Sequence, residues 1–151
     1  MADLQFAGDY ELDGIFVHAA STQGSLDIKP LLLELNIYES IYKSGITGSV
    51  VINDATNIVG NLPIQGTETL SFRLSTPNDT TPLGVINATQ ETGQPFHIYK
   101  LADKQQLSEG MQFFVLHFAS REFMRNTRVR VSQALEGGIH NMVQELSLIH
   151  I

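Results

Sequence analysis

The chain has 151 residues, 42% hydrophobic and 17% charged, so it can bury the core of one domain. It contains no cysteine, which excludes disulfides, thiolate metal sites and a cysteine nucleophile. The formal net charge of −7 argues against a nucleic-acid-binding surface, because such surfaces are basic.

The first predicted elements are strands. Residues 11–19 contain an apolar stretch that fits a first strand, and residues 22–25 have the composition of a turn. After Pro30, alternation predicts a second strand over residues 31–38, with one apolar set facing the core. A helix is the alternative, since Leu and Glu are good helix formers, but strict alternation favours the strand. The set predicted to face inward is Leu31, Leu33, Leu35 and Ile37, and the outward set is Leu32, Glu34, Asn36 and Tyr38.

Alternation resumes after a short connection that ends at Gly45, where glycine supplies backbone freedom for the bend. Residues 46–53 predict a strand that pairs with the preceding one as an antiparallel hairpin. Gly48, in the middle of this strand, indicates a bulge or a close approach of backbone. Its predicted inward set is Ile46, Gly48, Val50 and Ile52.

Further strands follow a polar corner. Asp54 fits the N-cap of a helical turn over residues 55–59, and Pro63 breaks the chain before the next strand. In that strand Leu70, Phe72 and Leu74 are predicted to face inward. Residues 84–86 predict a short strand. Residues 94–103 and 110–119 predict a final strand pair joined by residues 104–109, and the second is apolar on both faces, as in the middle of a sheet.

The composition changes after residue 120. Four arginines cluster there, Val129 and Val131 fit a short extended piece or a helix, and residues 139–146 predict an amphipathic helix. We therefore predict a β domain over residues 1–124, and a linker with the truncated start of a second domain over residues 125–151. The last few residues resemble translated adapter sequence more than native protein. The arginines are Arg121, Arg125, Arg128 and Arg130, and the helical stripe is Ile139, Met142, Val143 and Leu146.

The candidate catalytic and metal-binding side chains show no motif. The histidines lack short metal-ligand spacing, so hydrogen-bonded strand histidines are the favoured interpretation, although two of them become cross-strand neighbours if the last strands pair. Four carboxylates could line one cleft as an acid/base pair, but solvated strand carboxylates are far commoner. We predict no catalytic, cofactor-binding or metal-binding residue and no enzyme. The histidines are His18, His97, His117, His140 and His150; the two potential neighbours are His97 and His117; the carboxylates are Glu34, Glu39, Asp54 and Glu68.

Charge is unevenly distributed along the chain. Before Arg73 the only basic side chains are Lys29 and Lys43, against nine acids. The late arginines could bind phosphate or an acidic partner surface, form a solvated linker face, or contact the acidic part of another subunit. No apolar run approaches the ~20 residues that span a bilayer, and residues 1–6 lack a signal-peptide pattern. We therefore expect a protein folded in a cytoplasm without membrane insertion.

One family resemblance emerges from the order of these features. The hairpin of residues 35–54, with its Thr47-Gly48-Ser49 step, leads through residues 57–58 to the Leu62-Pro63-Ile64 corner and residues 65–68. The pattern resumes at residues 118–126 and 128–132. Over most of residues 25–147 the sequence resembles the baseplate hub proteins of contractile-tailed, myovirus-type bacteriophages, and in particular their N-terminal tail-tube-like domain.

This resemblance implies a mainly β fold, an antiparallel tail-tube-like β-barrel or sandwich with short helices, followed by a second domain. It also implies a structural virion protein assembled in the host cytoplasm, whose full-length form is a homotrimeric ring. That ring would join the tail tube and the spike around a channel through which DNA passes without specific binding. The resemblance carries over no catalytic residue.

Three alternatives remain open. A tail tube or tube-initiator protein would have the same fold, and a tail-associated cell-wall hydrolase would need convergent carboxylates or a metal site. A carbohydrate-binding β-sandwich would need an exposed aromatic platform, and the lack of tryptophan weakens it. Acidic residues lining the channel would repel DNA phosphates and ease passage of DNA.

Overall fold

A computed structural model of the chain describes residues 8–19, 24–54, 66–77, 84–108, 111–130, 134 and 136–149. The protein is mainly β, with one antiparallel sheet of eight strands and two short helices. The strands are β1 (Glu11–His18), β2 (Ser25–Asp27), β3 (Leu32–Tyr38), β4 (Thr47–Asp54), β5 (Thr69–Ser75), β6 (Val85–Ala88), β7 (Phe96–Ser108) and β8 (Met111–Ala119). A 3₁₀ turn covers Lys29–Leu31, and the helices are α1 (Arg121–Asn126) and α2 (Ile139–Ile149).

The sheet is curled. Its strand order is β2-β1-β5-β7-β8-β4-β3, with β6 paired to the end of β5. A flat sheet seven strands wide would hold its edges about 29 Å apart. The edge strands β2 and β3 are joined by residues 28–31 alone, a link that spans at most about 17 Å. The sheet must therefore bend around its core, and it does so without closing into a barrel.

The inner face of the curled sheet forms the core. Inward residues of β4 and β5, including Val50, Ile52 and Leu70, are fully buried, as alternation predicts. Three phenylalanines from adjacent strands pack at the centre. The ring centroids of Phe72 and Phe96 are 5.3 Å apart, and those of Phe96 and Phe118 are 4.9 Å apart. Such contacts add about 0.5–1.5 kcal/mol per pair beyond the burial of area.

The predicted β3–β4 hairpin is confirmed, but the prediction of which β3 side chains face inward is partly wrong. Residue pairing shifts between Leu32 and Glu34, where a bulge interrupts the ladder. Leu32 therefore packs against the core and Leu33 is 62% exposed, whereas Leu35 and Ile37 face inward as predicted. A bulge adds one residue to the strand and so reverses the faces on one side of it.

Gly48 fits the second of its two predicted explanations, a close approach of backbone. Pairing is continuous around it, with Ile37 on one side and Phe118 on the other. A Cβ atom at Gly48 would collide with the carbonyl oxygen of Asn36 and with the Phe118 ring. The residue is small because a strand and an aromatic ring both lie against it.

The last strand pair is confirmed, and β8 lies between β7 and β4 in the sheet. The predicted connection over residues 104–109 is wrong, because β7 continues to Ser108, which pairs with Met111. The extension has the composition of a loop, and its residues Lys104, Gln105 and Gln106 are exposed. Asp103 adopts a φ of 51° beside an irregularity in the ladder, a conformation that Asp tolerates better than most residues.

Other predictions have mixed outcomes. The strand at β1, the short strand at β6 and the helix at α2 are confirmed. The predicted cap at Asp54 over residues 55–59, the break at Pro63 and part of the 22–25 turn lie outside the described residues, as does His150. In α2, Ile139 and Val143 are exposed, so half of the predicted apolar stripe faces solvent. The domain division at residue 124 stays a prediction.

Replacing Gly48 by alanine should destabilise the fold by about 1–3 kcal/mol, because the new methyl group overpacks a site enclosed by backbone and ring. Gly14→Ala is the matched control. Its Cβ would meet the half-exposed ring of Phe16, which can move aside, so we expect a change below about 1 kcal/mol. Urea denaturation of the three proteins measures both values, and equal losses would contradict the packing role of Gly48.

Candidate interaction surface

Three of the histidines, His18, His97 and His117, lie on different strands of the sheet, and His140 lies in α2. The strands of His97 and His117 pair, but His97 lies opposite Ala119 and His117 opposite Lys100, because the ladder shifts between them. The ring of His117 lies 6.2 Å from that of Tyr99. No group of three or more His, Asp or Glu side chains in the described part of the chain could hold a metal ion.

His18 forms a hydrogen bond with a residue of the neighbouring strand. Its Nε2 atom lies 2.6 Å from the hydroxyl of Ser71 on the neighbouring strand. Burial lowers the pKa of the His18 imidazole from its usual value of 6.5. The pair is thus a neutral hydrogen-bonded contact on the outer face of the sheet, as predicted for strand histidines.

The four candidate carboxylates divide into two pairs. Glu34 and Glu39 are exposed, as expected, but Asp54 and Glu68 are buried rather than solvated. The carboxylate of Glu68 accepts a hydrogen bond from the backbone N–H of Gly66 at 2.7 Å, a local bond that offsets the cost of burial.

The structure does not bring the buried carboxylates together. The backbone carbonyl of Glu68 accepts a hydrogen bond from the N–H of Ile98 on β7. Asp54 pairs with Gln112 on β8, and Gln112 pairs in turn with Gln106 on β7. Ile98 and Gln106 are eight residues apart along β7, which puts the two carboxylates on the order of 20 Å apart. A glycosidase pair needs roughly 5–9.5 Å, so Asp54 and Glu68 cannot act as one.

A cleft lies where the curled sheet fails to close. Its volume is about 480 Å³, and it separates the outer edge of β3 from β1 and the end of β5. Aliphatic side chains dominate its lining, with Glu34 at the rim. Lys29 partly closes the gap, since its ammonium donates a hydrogen bond of 2.6 Å to the carbonyl of Leu12 on β1. The aliphatic lining consists of Leu12, Leu32, Leu33, Leu35, Ile37 and Leu74.

Exposed apolar side chains continue from this cleft along β3 into the next loop. Leu33 and Tyr38 are more than half exposed, and Ile41 and Tyr42 are 92% and 91% exposed. Tyr10, which also lines the cleft, is exposed as well. Contiguous apolar surface of this kind marks interaction sites in soluble proteins. We call these five residues together with the outer edge of β3 the β3 surface.

The four arginines form a separate basic segment. Arg121 and Arg125 lie on α1, and Arg128 and Arg130 follow it in irregular backbone. All four are exposed, and within the described part of the chain none has a side-chain hydrogen bond or ion pair. Arg128 and Arg130 thus place one cation on each side of Val129, which is itself 46% exposed.

A hydrogen-bonded junction fixes the basic segment relative to β3. The hydroxyl of Ser120 caps α1 by accepting from the Phe123 N–H at 3.5 Å, and it accepts from the Ile46 N–H at 3.2 Å. The Ser120 N–H donates to the Ile46 carbonyl at 2.8 Å. A Cβ atom at Gly45 would lie within 2.8 Å of Phe123. Gly45 is therefore explained by close approach, since its φ is not positive.

The sequence predicted no site residue, and the β3 surface was not recognised as one. Alternation predicted Leu33 inside, and the bulge that exposes it leaves no signature in the sequence. A usable signal existed at Ile41 and Tyr42, two large apolar residues in a polar connection between strands. The N-cap at Ser120 could also be predicted from the sequence, because serine is a preferred residue directly before a helix.

Comparison with known proteins adds no assignment: no protein-family model matches the chain, and no curated protein sequence matches it. Among the described residues, no helix has both the length and the apolar character needed to cross a membrane.

Replacing Ser120 by alanine should lower the free energy of unfolding by about 1–2 kcal/mol, because the cap of α1 and the bond to Ile46 are lost together. Ser40→Ala is the control, since its hydroxyl accepts a single exposed bond from the Tyr42 N–H. Urea denaturation should show a control loss of a few tenths of a kcal/mol. A Ser120 loss no larger than the control would rule out the junction as a stabilising element.

The His18 contact predicts a pH dependence of stability. Because burial lowers the pKa of folded His18, the unfolded chain binds more protons as pH falls through 6.5. The free energy of unfolding should therefore decrease from about pH 7.5 to about pH 5.5, and less steeply in His18→Gln. Ser71→Ala should keep the wild-type slope, since burial rather than the hydrogen bond is the cause. Parallel profiles for wild type and His18→Gln in denaturant titrations would contradict this.

Proposed function

We propose that the chain is a structural subunit of the central baseplate hub of a contractile bacteriophage tail. In this role it builds a ring, a homotrimer in the full-length protein, that joins the tail tube to the spike around a channel for DNA. The protein then acts in the virion through its shape and its contacts rather than through catalysis.

The observation that supports this proposal is the junction at Ser120. The resemblance to hub proteins covers the hairpin of residues 35–54, residues 57–58 and 62–68, and residues 118–126 and 128–132. Two separated stretches of it, residues 35–54 and 118–126, are described by the structure. In the fold these stretches meet, through Gly48 against Phe118 and through Gly45 against Ser120 and Phe123. The residues of these two stretches therefore form one packed unit, as expected if they specify a common architecture.

The open edge of the sheet also suits a ring-forming role. Strand edges offer unpaired backbone groups, and soluble proteins cover or block them. The β3 surface instead combines such an edge with exposed apolar side chains. A neighbouring subunit would cover it.

The acidic half of the chain suits a DNA channel in part. Glu11 is exposed and could line it, repelling phosphates. Asp54 and Glu68 are buried and cannot contribute. Asp13 is partly neutralised by Arg73, whose guanidinium lies 2.8 Å from the carboxylate.

Particle mass and shape test the proposal. The purified chain, concentrated and viewed by electron microscopy alongside mass photometry, should form rings of three copies with a central opening. Their mass should be about 50 kDa, three times the chain mass of 16.7 kDa.

Six-membered rings in that experiment would instead favour the tube or tube-initiator alternative. A chain that stays monomeric and clears a suspension of bacterial cell walls would overturn the proposal in favour of the hydrolase. Heat-denatured chain is the control for clearing, because any lytic activity must depend on the folded protein.

A further inference from the structure

We propose that the outer edge of β3 binds residues 128–130 of a second copy of the chain as an added strand. The contact is heterologous, since the β3 edge of one copy meets residues 128–130 of the next. The inference rests on the ring assembly proposed above and names the surfaces that would build it.

The receiving edge has no strand paired to it in the described part of the chain. Among the described residues, β3 pairs with β4 alone, so the other side of its backbone faces the cleft. Across the cleft, β2 covers only the end of β1 from Phe16 to His18. An extended peptide added to such an edge gains main-chain hydrogen bonds, and its alternate side chains enter the flanking pockets.

The two faces of β3 present different chemistry at this edge. Leu35 and Ile37 point inward and line the cleft, whereas Glu34 and Tyr38 lie on the outer, exposed face. The amide of Asn36 donates to the Glu34 carboxylate at 2.9 Å and holds it on that face. An added strand must therefore carry an apolar residue on the inside and cations on the outside.

Residues 128–130 have this pattern. Their order is Arg-Val-Arg, so in an extended conformation Val129 faces one way and both arginines face the other. Val129 would enter the aliphatic cleft beside Leu35. Arg128 and Arg130 would lie over the outer face, near the carboxylates of Glu34 and Glu39. An arginine there can also stack on the exposed ring of Tyr38.

Charge complementarity selects a second copy as the occupant. The β3 surface carries Glu34 and Glu39 without a basic residue between Pro30 and Tyr42, and the arginines have no ion pair within the described part of their own chain. A heterologous contact between two different patches continues from copy to copy and closes into a ring when the rotation allows it. One strand of this length buries little area, so a single contact should be weak and ring closure should strengthen it.

Charge reversal in the full chain tests the contact. We expect Arg128→Glu with Arg130→Glu, and separately Glu34→Lys with Glu39→Lys, each to raise the concentration for half-association at least tenfold in sedimentation velocity. The chain carrying all four substitutions should regain association, because the charges are exchanged. Arg121→Glu with Arg125→Glu, and Glu91→Lys with Glu122→Lys, are controls with the same charge changes and should behave as wild type.

Mixing and peptide binding separate this inference from the ring itself. The two association-deficient variants mixed together should regain association, because the contact between unlike copies is charge-matched in both directions. Copies must then alternate, so closed three-membered rings should not form. A dye-labelled synthetic peptide of residues 126–132 should bind the wild-type chain and lose at least tenfold in affinity for the Glu34→Lys, Glu39→Lys protein.

Several outcomes would overturn the inference. Rings that persist in the Arg128→Glu, Arg130→Glu chain would sink it and leave the hub proposal standing. Association abolished only by the β3 substitutions would indicate pairing of two β3 edges instead. Failure of the four-substitution chain to regain association, with the peptide unbound, would exclude the contact. Conversely, peptide binding with dimers alone would support the contact and count against the ring.

Discussion

The short link between β2 and β3 is the constraint on which the architecture depends. These strands lie at opposite edges of the sheet, yet only residues 28–31 join them. Ile28 within the link is fully buried, and its N–H donates to the Ile15 carbonyl at 2.9 Å. The link thus pulls the edges together around the core, so one face of β1, β4, β5 and β8 becomes interior. Because the sheet does not close, the same link also leaves the cleft along β3 open.

Curling has local consequences that explain residues with no role in chemistry. Strands brought around a small core approach closely, and Gly48 accepts the Phe118 ring and the neighbouring backbone where any side chain would collide. Ser120 then serves two elements with one hydroxyl, as cap of α1 and as acceptor for Ile46. Loss of either residue acts on the curvature and on the position of the basic segment together, because both lie at the β4–β8 end of the sheet.

Much of the strand content was predictable, since alternation is a direct consequence of a pleated strand with one buried face. It located β4 and β5 and their inward residues, and it paired β3 with β4. It failed at Leu33, because a bulge reverses the faces and has no fixed sequence signature. It also failed over the end of β7, where the strand has the composition of a loop. The strand order could not be derived, because it depends on long-range pairing that local patterns do not encode.

The same failures bear on the candidate site. The bulge exchanges two leucines, since Leu32 packs against the core whereas Leu33 is 62% exposed and forgoes the stabilisation of about 1.5–3 kcal/mol that full burial of a leucine gives. A monomer gains nothing from this exposure, whereas a subunit recovers the loss when a partner covers the leucine. The arginines after α1 pose the same question in electrostatic terms, since within the described part of this acidic chain they form no ion pair. An open edge, an exposed apolar row and unpaired cations are each ordinary alone. Together they are the observations from which we propose that another copy of the chain completes this surface.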